Sequence, residues 1–249
     1  MKLRILTWNV LTSEKKHFAG SNWDTRRSAF EKILDPARFD IICLQEATPS
    51  QLKFFISFFS DFDHFAVGRN DGQSRGEHCP IFFRKSQFQL TASENFWLTP
   101  TPKVPSCGWG ELFPRICTNL VLTNTSTLNT FRIWNTHLPL HPYARLNASK
   151  LLASRIRESN ATPSLLLGDF NCGPKSRAMS ELIRAHLNLL TTGKSPTFHM
   201  FGNKLLRLDH IMGSNQWSPI ESGEISESFA KVYPSDHFGL WADLTLKNN

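Results

Sequence analysis

An α/β sandwich in which helices cover β-sheets is the fold class the sequence predicts. Three observations lead there: short β-rich runs recur along the whole chain, segments of helical periodicity separate several of them, and no Gly-x-Gly-x-x-Gly follows a strand as an all-parallel dinucleotide-binding sheet would require. The first run, LRILTWNV (3–10), is followed by a helix over Asp24 to Leu34, whose Phe30, Ile33 and Leu34 share a face and which must stop before Asp35-Pro36. DIICLQE (40–46) is apolar almost throughout, as a strand buried on both faces would be. In KFFISFFSDFDHF (53–65), Phe54, Phe55, Phe58, Phe59 and Phe62 recur at helical spacing. Such a stripe is ordinarily the buried side of a helix lying on a sheet, which is preferred here to a membrane-touching face.

CPIFFRK (79–85), ICTNLVL (116–122) and TFRIWNTHL (130–138) are the next strands. A helix over Tyr143 to Glu158 follows, with Ala148, Leu151, Leu152 and Ile156 on its apolar side. PSLLLGDF (163–170) is a strand, Ser176 to Leu190 a third helix, and LLRLDHIM (205–212) and HFGLWADLTL (237–246) the closing strands.

The chain has 249 residues, 40% hydrophobic and 20% charged, a composition that excludes wholesale disorder and collagen-like repeats. Five cysteines without a C-x-x-C pair argue for reduced thiols and against a zinc ribbon. No run approaches the roughly 20 apolar residues of a membrane span, and MKLRILTWNV has too few apolar residues for a signal core. A cytoplasmic protein without stable membrane insertion is expected, with export open if a signal peptide was removed from this sequence; the expected state is a monomer. Lys plus Arg total 28 against 21 Asp plus Glu, a net charge of +7 that favours polyanionic partners.

Polar residues interrupt the strands at their ends: Asn9, Gln45-Glu46, Asn135-Thr136-His137, Gly168-Asp169-Phe170-Asn171, Asp209-His210, and Ser235-Asp236-His237 at the start of the last strand. Strand ends are where α/β scaffolds bring side chains together, so one convergent pocket is expected. Its inventory of carboxylates, amides and histidines, without a cysteine ligand set, suits a hard divalent cation such as Mg²⁺ or Mn²⁺. A hard cation with a basic surface points to phosphate chemistry.

T-W-N (7–9), L-Q-E (44–46), N-T-H-L (135–138), G-D-F-N (168–171), L-D-H-I (208–211) and S-D-H (235–237), in this order, resemble the endonuclease/exonuclease/phosphatase (DNase I-like) superfamily. GRNDG (68–72), GEHCPIFFRK (76–85), FWLTPTP (96–102) and PRICT (114–118) are similar to a bacterial branch of it whose substrates are poorly defined. The resemblance implies a four-layered α/β sandwich, two packed mixed sheets flanked by helices, forming a single domain over 1–249. It also implies Glu46 as the principal ligand of Mg²⁺ or Mn²⁺, with Asn9 and Asp236 close to the ion or its waters. Asp169 and Asn171 would position and activate the attacking water, and His237, held by Asp209, would stabilise the transition state. His137 would pair with Glu77 to contact the phosphate or protonate the leaving oxygen, and Arg115, with Asn9 and Asn171, would meet the phosphate. Arg145 and Arg207 are weaker phosphate candidates. His78, His210 and Cys172 are expected to be structural.

The expected activity is in-line hydrolysis of a phosphate ester, with a nuclease or phosphodiesterase acting on nucleic acid placed first on the strength of the charge. The alternative is a phosphatase or phosphodiesterase of small phosphorylated molecules or lipid head groups. A non-catalytic binding module comes last, because every position the chemistry needs holds a competent residue.

Overall fold

A computed structural model of the chain describes residues 1–14, 22–159, 161–191, 193–202 and 205–247. The strands are β1 (Lys2–Asn9), β2 (Ile41–Gln45), β3 (Phe62–Phe65), β4 (Ile81–Arg84), β5 (Phe88–Trp97), β6 (Ile116–Asn124), β7 (Thr130–His137), β8 (Ser164–Asp169), β9 (Leu187–Leu189), β10 (Asp209–Ser214), β11 (Trp217–Ile225) and β12 (Gly239–Leu246). The helices are α1 (Trp23–Ile33), α2 (Pro49–Phe58), α3 (Pro142–Glu158) and α4 (Arg177–Ile183). They assemble into two mixed six-stranded sheets, β11-β12-β1-β2-β4-β3 and β5-β6-β7-β8-β10-β9, whose parallel pairs are β1 with β2 and β7 with β8. Each parallel pair needs a crossover, which α1 and α3 provide.

Side-chain alternation builds the layers. Along β1, Leu3 and Ile5 join a core with Ile41 and Cys43 of β2, Phe131 and Ile133 of β7, and Leu165 and Leu167 of β8, which is the interior between the sheets. The intervening Leu6 and Trp8 face outward into a second core with Phe30 of α1 and Phe55 of α2. Trp134 and Leu166 of the other sheet pack outward with Leu152 of α3 and Met179 of α4. The result is the expected four-layered sandwich of helices, sheet, sheet and helices.

At one rim the inward series changes character. After Leu3 and Ile5 come Thr7 and Asn9; after Ile41 and Cys43 comes Gln45; after Phe131 and Ile133 come Asn135 and His137; after Leu165 and Leu167 comes Asp169. Gln45 Nε2 donates to Thr7 Oγ1 at 2.9 Å and to Asn135 Oδ1 at 2.7 Å, while Asn135 Nδ2 donates to the carbonyls of Leu44 and Pro80. These bonds satisfy both buried amide nitrogens, so the cross-sheet ladder closes the apolar core and forms a floor beneath the rim.

Several expected elements differ in extent. Helix α2 opens with Thr48 in a capping box with Gln51 and ends at Phe58, so Phe62 belongs to β3. The stripe of phenylalanines is core: Phe55, Phe59 and Phe62 are buried against Phe82 and Phe30. The third helix is only α4, and Leu187–Leu189 forms β9 instead. The run 205–212 becomes strand at Asp209, since Leu206 pairs with Phe198 outside the sheet. No helix among the described residues is long and apolar enough to cross a membrane.

Candidate active site

The polar rim opens into a cavity of about 740 Å³, lined among others by Glu46, Glu77, Arg115, His137, Asp169, Asn171, Asp236 and His237. Strand register explains the convergence, because His137, Asp169 and Asp209 lie side by side at the rim ends of β7, β8 and β10.

Asp169 is 1% exposed and sits at the centre. Its Oδ2 accepts from Asn9 Nδ2 at 3.0 Å and lies 3.5 Å from His137 Nε2 and 3.7 Å from His237 Nε2. Its Oδ1 accepts from the Asn171 backbone at 2.8 Å, and Asn171 is fixed in turn by donating Nδ2 to the Leu138 carbonyl. Gly168 is what allows this placement: its φ is +144°, and a Cβ there would run into the Thr136 carbonyl on β7. Burial pushes the Asp169 carboxyl up to about 6, a push to which Asp209 adds and which His237 and the hydrogen bonds from Asn9 and Asn171 restrain.

His237 donates from Nδ1 to Asp209 Oδ2 at 2.8 Å. Burial alone would lower its pKa, but Asp209, Asp169 and Asp236 outweigh burial and raise it to about 10. The imidazolium is therefore the form this site favours at neutral pH. Its backbone is anchored as well: Trp8 Nε1 donates to its carbonyl, and Ser235 Oγ, itself bonded to the Asn9 carbonyl, accepts from its amide.

Glu46 follows β2 with φ +60°, an unusual conformation for a side chain of this size. Asn9 Nδ2 donates to its Oε1 at 3.1 Å and the Thr12 amide to its Oε2 at 3.0 Å. Asn9 thus turns its amide nitrogen to both carboxylates, Glu46 and Asp169, while its Oδ1 accepts from the Leu11 amide. Behind the site, Arg26 is fully buried and donates to the carbonyls of Val10, Leu11, Thr12 and Pro234. Burial lowers its pKa to about 10, and Asp236 and Glu46 both counter that fall. The two carboxylates therefore act on one guanidinium. The oxygen donors of Glu46 and Asp236 at the cavity wall fit a hard divalent cation. Asp169, Asp209 and His237 also bring possible ligand atoms within 4.8 Å of one another, with His237 Nδ1 taken up by the Asp209 contact.

Glu77 and His137 line the same wall, and Glu77 is ion-paired with Arg69. Arg145 lines the cavity but donates from Nη1 to the carbonyls of Pro139 and Leu140. Arg207 lies outside it, bonded to the Ser195 and Thr191 carbonyls and Glu224. His210 is buried with Nε2 on the Cys172 carbonyl, and burial lowers its pKa to about 4; His78 donates to the Ala47 carbonyl. Buried Cys172 accepts from Ser176 Oγ. Arg69, Arg26 and the Gln45–Asn135 ladder are contributions that motif reading missed. For Arg69 the signal was the glycine-rich GRNDG, whose glycines mark a tight loop.

Two packed six-stranded sheets with a buried carboxylate–imidazole cluster at one rim define a DNase I-like α/β sandwich. Residues 6–237 match the Endonuclease/Exonuclease/phosphatase family, and the chain belongs to that family. A family protein from Bacteroides thetaiotaomicron has the same fold, with a TM-score of 0.93 and 27% identity, covering 100% of this chain and 99% of its own. A mannosyl-6-phosphatase of the same bacterium matches with a TM-score of 0.91 and 27% identity over 98% of this chain and 100% of that one. An uncharacterized protein of Acanthamoeba polyphaga mimivirus is 24% identical, over 94% of this chain and 97% of its own length.

Proposed function

We propose that the protein is a divalent-metal-dependent phosphoesterase that hydrolyses small phosphorylated molecules by attack of an activated water on phosphorus. The observation that carries this reading is Asp169: a buried carboxylate, raised to about 6, within 3.7 Å of two histidines at the bottom of a cavity. A base with a pKa near the working pH accepts a proton from water efficiently. In this reading Asp169 takes the proton, and Asn171 fixes the carboxylate through its backbone amide. His237, held by Asp209, presents a positive charge to the phosphoryl oxygens. His137 and Glu77 serve the leaving oxygen, and Arg115 meets the phosphate. Glu46 and Asp236 would hold Mg²⁺ or Mn²⁺, with Asn9 as the residue that positions Glu46. The ion would act as a Lewis acid on the phosphoryl group.

Two observations favour a small ester over a polymer. The reacting groups line a cavity of about 740 Å³ that also holds the apolar side chains of Phe113, Leu140, Phe198, Phe201 and Leu206, a size that suits a small ligand. The mannosyl-6-phosphatase also resembles this chain over almost its full length. The net charge of +7 supports a second reading, hydrolysis of nucleic acid.

Purified protein assayed with Mg²⁺ or Mn²⁺ on sugar phosphates, nucleotides, inositol phosphates, phospholipid, DNA and RNA, with Asp169→Asn as control, separates the readings. The first reading expects turnover of small monoesters that disappears with EDTA. Preferential cleavage of DNA or RNA, with affinity falling steeply as salt rises, supports the second. Full turnover in chelator overturns the metal assignment.

A further inference from the structure

Arg69 is a cationic side chain of the cavity wall to which the role assignments above give no part. It stands in a loop that closes on itself: Gly68 N donates to Gln73 O, Asn70 N to Arg75 O and Arg69 N to Glu77 O, each at 3.0 Å. Asp71 Oδ1 accepts from the amides of Gln73 and Arg75, and Gly76, at φ +85°, fits beneath the Asn70 side chain. Trp97 Nε1 donates to the Arg69 carbonyl at 2.7 Å, so the main chain is fixed on both sides. The guanidinium lies over the Phe113 ring with its carbon 5.5 Å from the centroid, and its Nη1 is ion-paired with Glu77. A side chain held in this way is aimed before any ligand arrives.

It shares a recess beside Glu46 with Glu77, Arg115 and His137. The side chains of Arg69 and Arg115 are 14% and 6% exposed, and each keeps a buried Nε–H without a hydrogen-bond partner among the described residues. Glu77 takes up one donor of Arg69, and Glu111 approaches Arg115 only to 3.9 Å. Two guanidinium groups lining one cavity beside Glu46, with a single donor of Arg69 taken up by Glu77, give that wall a positive charge that suits an anion, since a charge-assisted bond to an oxyanion is strong. Within a phosphoesterase site, the number of oxygens decides which anion. A diester has two non-bridging oxygens and one charge, whereas a monoester has three terminal oxygens and a charge of about −1.5 to −2 at neutral pH.

Building on the phosphoesterase reading above, we propose that Arg69 is a specificity-determining residue that, together with Arg115, receives the terminal oxygens of a phosphomonoester, so that this site selects monoesters over diesters. Glu77 then has a second task besides any contact with substrate, which is to orient Arg69.

The test compares wild type, R69Q and R69K in saturating Mn²⁺ on p-nitrophenyl phosphate and bis(p-nitrophenyl) phosphate. Binding of inorganic phosphate is measured separately by calorimetry and by the rise in melting temperature. Wild type should prefer the monoester. R69Q should lower kcat/KM for the monoester about 100-fold and for the diester by less than about threefold, and should weaken phosphate binding at least about tenfold. R69K keeps the charge and loses the planar fork, so it should fall in between, and it stands in for R69Q if the latter does not fold. Equal losses on both esters, or a wild type that prefers the diester, overturn the selectivity and leave the phosphoesterase reading intact. A wild type inert toward every ester overturns that reading. Phosphate affinity unchanged in both variants overturns the Arg69 assignment whichever ester is cleaved.

Discussion

Asp209 Oδ2 lies 2.8 Å from His237 Nδ1, joining the first residue of β10 to the residue two before β12. The aspartate is itself held, since its backbone amide and that of Leu208 both donate to Thr197 Oγ1 at 3.0 Å. The pair fixes both the ring orientation of His237 and its charge, because Asp209 leads the influences that raise its pKa against burial.

Asp209→Asn should therefore lower kcat by about 10² to 10⁴ while the protein stays folded. With the carboxylate gone, the imidazolium deprotonates at a lower pH. The loss should be steeper at pH 8 to 9 than at pH 6, and a kcat profile against pH checks it. A uniform loss at every pH would assign Asp209 an orienting role only.

The Gln45–Asn135 ladder predicts a stability effect at a distance from the chemistry. Asn135→Leu removes one acceptor of Gln45 Nε2, which keeps Thr7 Oγ1, and one donor to each of the Leu44 and Pro80 carbonyls, of which Pro80 keeps the Leu44 amide. Each buried hydrogen bond lost costs about 0.5–1.5 kcal/mol, so urea unfolding should show a loss of about 2–4 kcal/mol. The Gln45→Leu, Asn135→Leu double variant should lose less than the sum of the two single variants.

Gly168→Ala should be among the most damaging single changes. The added Cβ meets the Thr136 backbone, which cannot move without separating β8 from β7. Loss of soluble folded protein, or destabilisation beyond about 3 kcal/mol in urea, is expected. A variant as stable as wild type would show that β8 can shift at this point.

His210 gives a pH signature. Its pKa is about 4 in the folded protein against 6.5 ordinarily, with burial the leading cause. Between those values the unfolded chain binds the proton and the native state does not, so this histidine lowers stability as pH falls from 6.5 towards 4 and has no such effect above. His210→Asn removes that loss. Its destabilisation relative to wild type should be smaller at pH 5 than at pH 8 by about 2 kcal/mol, measured by urea unfolding at both pH values.

The strands that sequence patterning missed are β3, β5, β9 and β11, and these are the outermost strands of the two sheets. An edge strand need not be apolar on both faces. β5, FQLTASENFW, is exposed over most of its middle, and β11 carries Pro219 and a register shift between Pro219 and Glu221. Central strands such as LLLGD were legible because burial on both faces demands unbroken apolar runs. The site was legible for a related reason: Asn9, Glu46, His137 and Asp169 stand out as polar residues that end such runs. Arg69 and Arg26 were not, since one lies in a loop and the other on an ordinary helix, and only the fold brings Arg69 to the cavity wall and Arg26 behind it.

Turnover of p-nitrophenyl phosphate in Mn²⁺ by wild type and by Asp169→Asn, with folding of both verified by circular dichroism, tests the account most directly. The buried carboxylate at the centre of the site should be indispensable, so the variant should lose at least about 10³ in kcat while its fold is retained. A folded Asp169→Asn protein that turns over at the wild-type rate would contradict the account and place the chemistry elsewhere.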